Sequence, residues 1–161
     1  MSDADTPIVL TRSLPLSREA AFDLFVERIG EWWPRDYTFS RDPAADLSIE
    51  PFPGGACSEQ VPGGARLVWG TVLSIEPPLF LRLAWQISPD RQLIADPAAA
   101  SRVTVEFRAM ADGTLVELAH RDFLRHGEAG EGYRAAMASP EGWPFCLDAL
   151  AEAAARKPSP R

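Results

Sequence analysis

The chain has little of the chemistry that carries metal or redox function: two cysteines and two histidines in 161 residues. Cys57 and Cys146 stand far apart, and the start "MSDADTP" is acidic and polar instead of basic and then apolar. The two thiols are therefore read as reduced, in a cytoplasmic protein. There is no H-E-x-x-H, no C-x-x-C and no paired ligand spacing, so neither a metal nor another cofactor is expected. The absence of G-x-S-x-G removes one hydrolase signature. The absence of G-x-G-x-x-G and of a Walker lysine removes the common phosphate loops. No stretch reaches the roughly 18 apolar residues of a membrane span, so membrane insertion is not expected. The net charge is −7, from 23 acidic residues against 16 Lys and Arg. The one basic cluster is the tail "RKPSPR", which makes nucleic acid a poor partner.

What is present suits one globular domain with a sizeable core: 46% hydrophobic and 24% charged residues, both ordinary values. The domain is expected over residues 7–155, with flexible ends at 1–6 and 156–161. "IVLTRSL" (8–14) is β-branched and reads as a strand. Phe22, Phe25, Val26 and Ile29 then recur at helical spacing, with Ser17 as N-cap and Gly30 as stop. From there to about residue 122 the signal is β. "PGGA" occurs at 53–56 and 62–65 and reads as two turns around "CSEQV". "RLVWGTVLSIEPP" is a long strand stopped by Pro77 and Pro78. "LFLRLAWQIS" puts Leu81, Leu83 and Trp85 on one face, and "SRVTVEFRA" does the same for Val103, Val105 and Phe107. "ADGT" is a hairpin turn. "TLVELAHRDF" aims Val116, Leu118 and His120 to one side. "QISPDRQLIADPAAAS" reads as a loop or a short extra strand, and "RHGEAGEGY" as a glycine-rich loop. A C-terminal helix starts at Ser139 or, sparing Pro144 an interior position, near Gly142. Trp143, Leu147, Leu150 and Ala154 mark its apolar face.

Trp32 and Trp33 pose a separate problem. Neighbouring side chains diverge by about 100° on a helix and point oppositely on a strand. The pair cannot easily fill one hole, so either one plugs the core while the other borders a cavity beside Tyr37 and Phe39, or both anchor the helix-to-strand crossover. Trp69 is left without an assigned face, because its strand carries apolar residues on both sides. Asp122 and His126 read as solvated loop residues. Arg82, Arg102 and Arg108 read as an outer sheet face with glutamate partners such as Glu106 and Glu117.

Taken in order, "WW" after the first helix, "PGGA", "WGTVLSIEPPLFLRLAW", "SRVTVEF", "GTLVELAH" and "GW…CLDAL" resemble the homologues of the activator of the heat shock protein 90 ATPase. The resemblance covers roughly residues 7 to 155. It implies membership of the SRPBCC, START-like superfamily and an α+β helix-grip fold. In that fold a curved antiparallel sheet of six to seven strands carries two short helices after its first strand and a long C-terminal helix across it. It also implies a cavity for apolar small molecules. The residues expected to line that cavity are Trp33, Tyr37, Trp85, Phe107, His120, Trp143 and Leu147. His120 would be the polar anchor, since an inward imidazole left unpaired costs about 1–3 kcal/mol. Three functions follow: a binding module for an apolar or amphipathic small molecule, a chaperone-linked partner as the family name implies, and a cyclase- or hydrolase-type enzyme with His120 as acid–base.

Overall fold

The structure, a computed structural model, describes residues 5–156. Most of the two end segments set apart in the sequence lies outside that range. Strand β1 (Ile8–Leu14) leads into helix α1 (Arg18–Val26), whose first turn is capped by the Ser17 hydroxyl accepting from Ala20 N at 3.1 Å. One-turn helices at Ile29–Glu31 and Arg35–Tyr37 flank Pro34. Strands β2 (Asp46–Ile49), β3 (Ala56–Gln60), β4 (Arg66–Glu76), β5 (Phe80–Trp85), β6 (Ser101–Met110) and β7 (Gly113–Arg121) follow, then helices α2 (Gly130–Ala138) and α3 (Trp143–Ala155). The strands form one antiparallel sheet in the order β1-β7-β6-β5-β4-β3-β2. This curled sheet with a long C-terminal helix is the helix-grip fold.

The alternation read in β5, β6 and β7 matches the buried face. Leu81, Leu83, Val103, Val105, Val116, Leu118 and His120 are all buried. They stack in register, with Leu83 opposite Val103 and Val103 opposite His120. β4 could not be assigned a face because it contains two irregularities. Opposite β3 the pairing passes from Gly70 to Val68, leaving Trp69 as the extra residue. Opposite β5 it passes from Val72 to Ser74, leaving Leu73 as the extra one. Each bulge shifts the period by one. Trp69, Val72 and the partner of Leu81, Ile75, therefore all turn inward although simple alternation puts Val72 on the opposite face from the other two. Gly70 lies between them, and a Cβ there would stand 2.9 Å from Ala84 O and 3.2 Å from Cys57 Cβ.

Two sequence expectations are corrected and one open choice, the start of the C-terminal helix, is decided for the position near Gly142. "RHGEAGEGY" is not a loop: residues Phe123–Ala129 form a kinked 3-10 segment and α2 follows directly. Gly127 supplies the break, with φ 68°. Gly130 has no Cβ to strike the Phe123 carbonyl, so α2 can pack closely. Glycine marked close approach here, not disorder. The C-terminal helix starts at Trp143 with Gly142 as its N-cap residue, which puts Pro144 in the tolerated first turn. Finally, α3 does not cover the sheet alone. α1 lies over β6 and β7, where Phe22 and Phe25 meet Phe107 with ring centroids 5.1 and 5.9 Å apart.

The 86–100 linker is ordered by one bridge, Ile87 to Leu93, and by a turn at Pro97–Ala99 capped by Asp96. On the outer sheet face Arg108 pairs with Glu106 at 3.0 Å and with Glu117 at 3.5 Å. Arg102 instead reaches Asp122, which the sequence had left to solvent.

Candidate functional site

The two neighbouring tryptophans divide their roles. Trp32 is 3% exposed, packs on Phe25 with centroids 4.8 Å apart, and donates its indole N–H to Phe25 O at 3.3 Å. Trp33 is half-buried and sits at the centre of all the other tryptophans. Its ring centroid lies 5.4 Å from Trp32, 6.3 Å from Trp69, 6.1 Å from Trp85 and 6.0 Å from Trp143. The chain thus gathers its five tryptophans into one cluster, brought together from a turn, two strands and a helix.

Beside that cluster lies a cavity of about 360 Å³. Trp33 and Tyr37 form one wall, Trp85 and Ile87 the floor, and Tyr133 and Met137 of α2 the roof. Cys146 and Gly142 close the end under α3, while Ser88, Arg91 and Glu141 bring polar groups to the rim. The volume falls in the range of small-molecule sites, and the wall is mostly apolar with few polar groups, as such sites usually are. Two other grooves, beside Leu24 and Arg156 and beside Pro15 and Asp112, have a larger polar share and contain none of the clustered aromatics.

Hydrogen bonds fix the walls. Trp85 Nε1 donates to Tyr133 Oη at 2.9 Å, and Tyr133 Oη donates to Ile87 O at 2.7 Å, which ties α2 to the sheet. Tyr37 Oη donates to Glu141 O at 2.6 Å, and Arg91 Nη2 donates to Tyr37 O at 3.0 Å. Arg91 also lies over the Phe39 ring, 5.2 Å from its centroid. Burial pushes the Cys146 thiol and the Tyr133 hydroxyl up to about 12, and it raises Tyr37 as well. These groups are therefore poor nucleophiles and bases near neutral pH.

Of the seven residues expected at the cavity, Trp33, Tyr37 and Trp85 lie on its wall. Trp143 and His120 stand one layer behind. Trp143 is 2% exposed and His120 is fully buried. Phe107 and Leu147 are not on the wall: Phe107 is covered by α1, and Leu147 is fully enclosed in the core. With only the C-terminal helix across the sheet Phe107 would face space; α1 fills that space instead.

His120 has its partners within the protein. Trp143 Nε1 donates to its Nδ1 at 2.9 Å, and its Nε2 lies 2.8 Å from Ser101 Oγ. An indole N–H only donates, so Nδ1 is the acceptor and the ring proton sits on Nε2, directed at Ser101. The Ser101 hydroxyl is then left to donate to His126 Nε2, 3.0 Å away. His126 is thus not a solvated loop residue; it stacks edge-on to Tyr133 with centroids 4.8 Å apart. Burial lowers the pKa of both histidines, and the proximity of His126 lowers that of His120 further. The imidazole of His120 is a neutral strut beneath the aromatic cluster.

Two residues of the site were missed in the sequence. Tyr133 lay in the stretch mistaken for a loop. Glu59 lay in "CSEQV", where alternation with the inward Cys57 was the available signal. Glu59 is 1% exposed, and its two oxygens accept from Phe39 N at 2.9 Å and Ser40 N at 2.8 Å. Among the described residues no cluster of three or more His, Cys, Asp or Glu side chains is placed to hold a metal, and no helix is long and apolar enough to cross a membrane.

Residues 15–155 match the family described as "Activator of Hsp90 ATPase homolog 1-like protein". The chain belongs to this family. Among solved structures, this family member is similar to the anthrahydroquino-γ-pyrone synthase Txn09, with 31% identity over 95% of this chain and 99% of that one and a TM-score of 0.65. It is also similar to protein NE0264 from Nitrosomonas europaea, at 18% identity over 94% and 95% of the two chains, TM-score 0.66. The Aha1 dimer from Colwellia psychrerythraea matches at 13% identity over 92% and 95%, TM-score 0.60. At these identities the last two show a shared fold alone. No curated protein matches the sequence.

Proposed function

We propose that this protein binds an apolar or amphipathic small molecule in the cavity between Trp33, Trp85 and α2, and that its ligand is a planar, ring-containing compound. The observation that carries this reading is the cavity itself, about 360 Å³ with Trp33, Tyr37, Trp85 and Tyr133 on its walls. An apolar cavity of about 150 Å³ holds benzene, so this one has space for two or three fused rings. Aromatic walls favour flat partners through offset and edge contacts. A cytoplasmic location is part of the same reading, since both cysteines are free and buried.

The 31% identity to a synthase favours a second reading, in which the cavity templates a ring-forming reaction. The walls here would contribute orientation and exclusion of water. His120 would act through position only, because Trp143 and Ser101 already occupy both of its nitrogens. The chaperone partner named by the family is the alternative to both. A pull-down with the chaperone followed by an ATPase assay decides it, and an unchanged rate at saturating protein removes it.

The test of the binding reading is native mass spectrometry of freshly purified protein, followed by denaturation and identification of what is released. A stoichiometric apolar adduct is expected. A clean unliganded mass, together with no displacement signal from any fluorescent apolar probe, would overturn the reading.

A further inference from the structure

Beside the cavity lies a second, smaller chamber of about 20 Å³, room for about one water molecule. Trp33, Tyr37, Trp85 and Ile87 border both spaces, so the Trp33 ring is part of the partition between them. The inner chamber is walled by Trp69, Phe39 and Leu47, and its one acidic lining residue is Glu59. A carboxylate offers about four acceptor sites. Two are used, by Phe39 N and Ser40 N, and no cation is paired with Glu59 among the described residues. Burying such a group is costly unless further donors reach it.

Trp33 is also loosely tied, as is Trp69 beside it: neither indole N–H has an acceptor among the described residues. Trp32, Trp85 and Trp143 each donate their N–H to a fixed acceptor. Trp33 has no such bond among the described residues and is held by ring contacts alone. Turning it aside breaks no hydrogen bond, and it joins the outer cavity to the chamber of Glu59.

We propose that the cavity selects aromatic ligands carrying a hydroxyl group, which displace Trp33 and donate that hydroxyl to Glu59. The proposal rests on the small-molecule reading above and names the ligand class for the same site. A carboxylate only accepts, so it takes a phenol or alcohol and gives nothing to the matching ether. It repels a ligand that carries an acid group. The rings of the ligand would then lie among Trp33, Trp69 and Trp85.

The experiment is an NMR titration of the whole protein with 2-naphthol and with 2-methoxynaphthalene, in the wild type and in Glu59→Gln. The hydroxyl compound is expected to bind at least about tenfold more tightly than its ether, the scale of a hydrogen bond to a charged group. That preference should vanish in Glu59→Gln while the ether's affinity stays the same. Equal affinities in the wild type, or a preference that survives the substitution, would overturn the proposal and leave the binding reading standing. If neither compound binds, both fall. The Gln amide sets an NH2 against the backbone donors of the 39–40 turn, and that variant could misfold. A crystal structure of the wild type with 2-naphthol therefore serves as the second measurement. A hydroxyl on the Glu59 carboxylate with Trp33 turned aside supports the proposal; a hydroxyl held at Ser88 or Ser139 with Trp33 in place overturns it.

Discussion

Trp143 donates its indole N–H to Nδ1 of His120 across 2.9 Å, and this one bond sets the protonation of the whole buried polar chain. It joins α3 to β7 and fixes the imidazole tautomer. Through Ser101 it extends to His126 beside α2. The cavity wall formed by Trp85 and Tyr133 rests against this chain, with His120 ring centroids 5.9 and 6.4 Å from theirs.

The first prediction concerns pH. Both histidines have folded pKa values below the ordinary 6.5. Above about pH 7 they are neutral in both states and contribute no pH dependence. As pH falls through 6.5 the unfolded chain takes up protons that the folded chain refuses, so stability drops, by up to about 1.4 kcal/mol per pH unit for the fully buried His120 and by less for the partly exposed, solvent-screened His126. Urea melts at pH 7.5, 6.5 and 5.5 should show that fall, and His120→Gln should flatten it. A stability that rises on acidification over this window would contradict the buried neutral imidazoles.

The tryptophan pair makes the second. Trp32→Ala removes a buried ring and its hydrogen bond and is expected to cost about 3–5 kcal/mol. Trp33→Ala removes a half-buried ring with no bonded N–H and is expected to cost about 1–2 kcal/mol. The protein should stay folded by circular dichroism and show altered probe binding. Equal losses of stability for the two variants would contradict the division of roles.

Gly130 gives the third. A Cβ at this position would strike the Phe123 carbonyl, which is backbone and cannot step aside cheaply. Gly130→Ala should therefore lift α2 from its seat, costing about 1–3 kcal/mol, and weaken binding through Tyr133. Calorimetric melting together with probe affinity reads both effects, and an unchanged or higher Tm would show that α2 has slack at this point.

The cysteines give the fourth. Burial pushes both thiols up to about 12, so little thiolate exists at pH 8. Iodoacetamide should leave the native protein unlabelled over an hour and modify both residues in denaturant. Rapid native labelling at Cys146 would mean that the cavity opens widely enough to admit and ionise it.

Sequence pattern alone determined the elements whose environment is uniform. β5, β6 and β7 alternate without interruption, so period 2 identified their inward residues, His120 among them. α1 announced itself by spacing and by the Ser17 cap. That Trp32 and Trp33 point apart followed from their adjacency, because neighbouring side chains cannot share a direction, but which of them borders a cavity did not.

Tertiary structure decided everything that depends on a break in period or on a distant neighbour. Two bulges in β4 turned Trp69 inward, and no local pattern records a residue that pairs with nothing. Gly130 signalled close helix packing, which is distinguishable from a loop only when Phe123 is there to be approached. Phe107 left the cavity because α1 covers it, and Tyr133 entered because α2 exists. The meeting of Trp33, Trp69, Trp85 and Trp143 joins residues from distant parts of the chain, Trp33 and Trp143 lying 110 positions apart. Only the curl of the sheet and the start of α3 at Trp143 bring them within one ring's width, and periodicity carries no information about contacts across that distance.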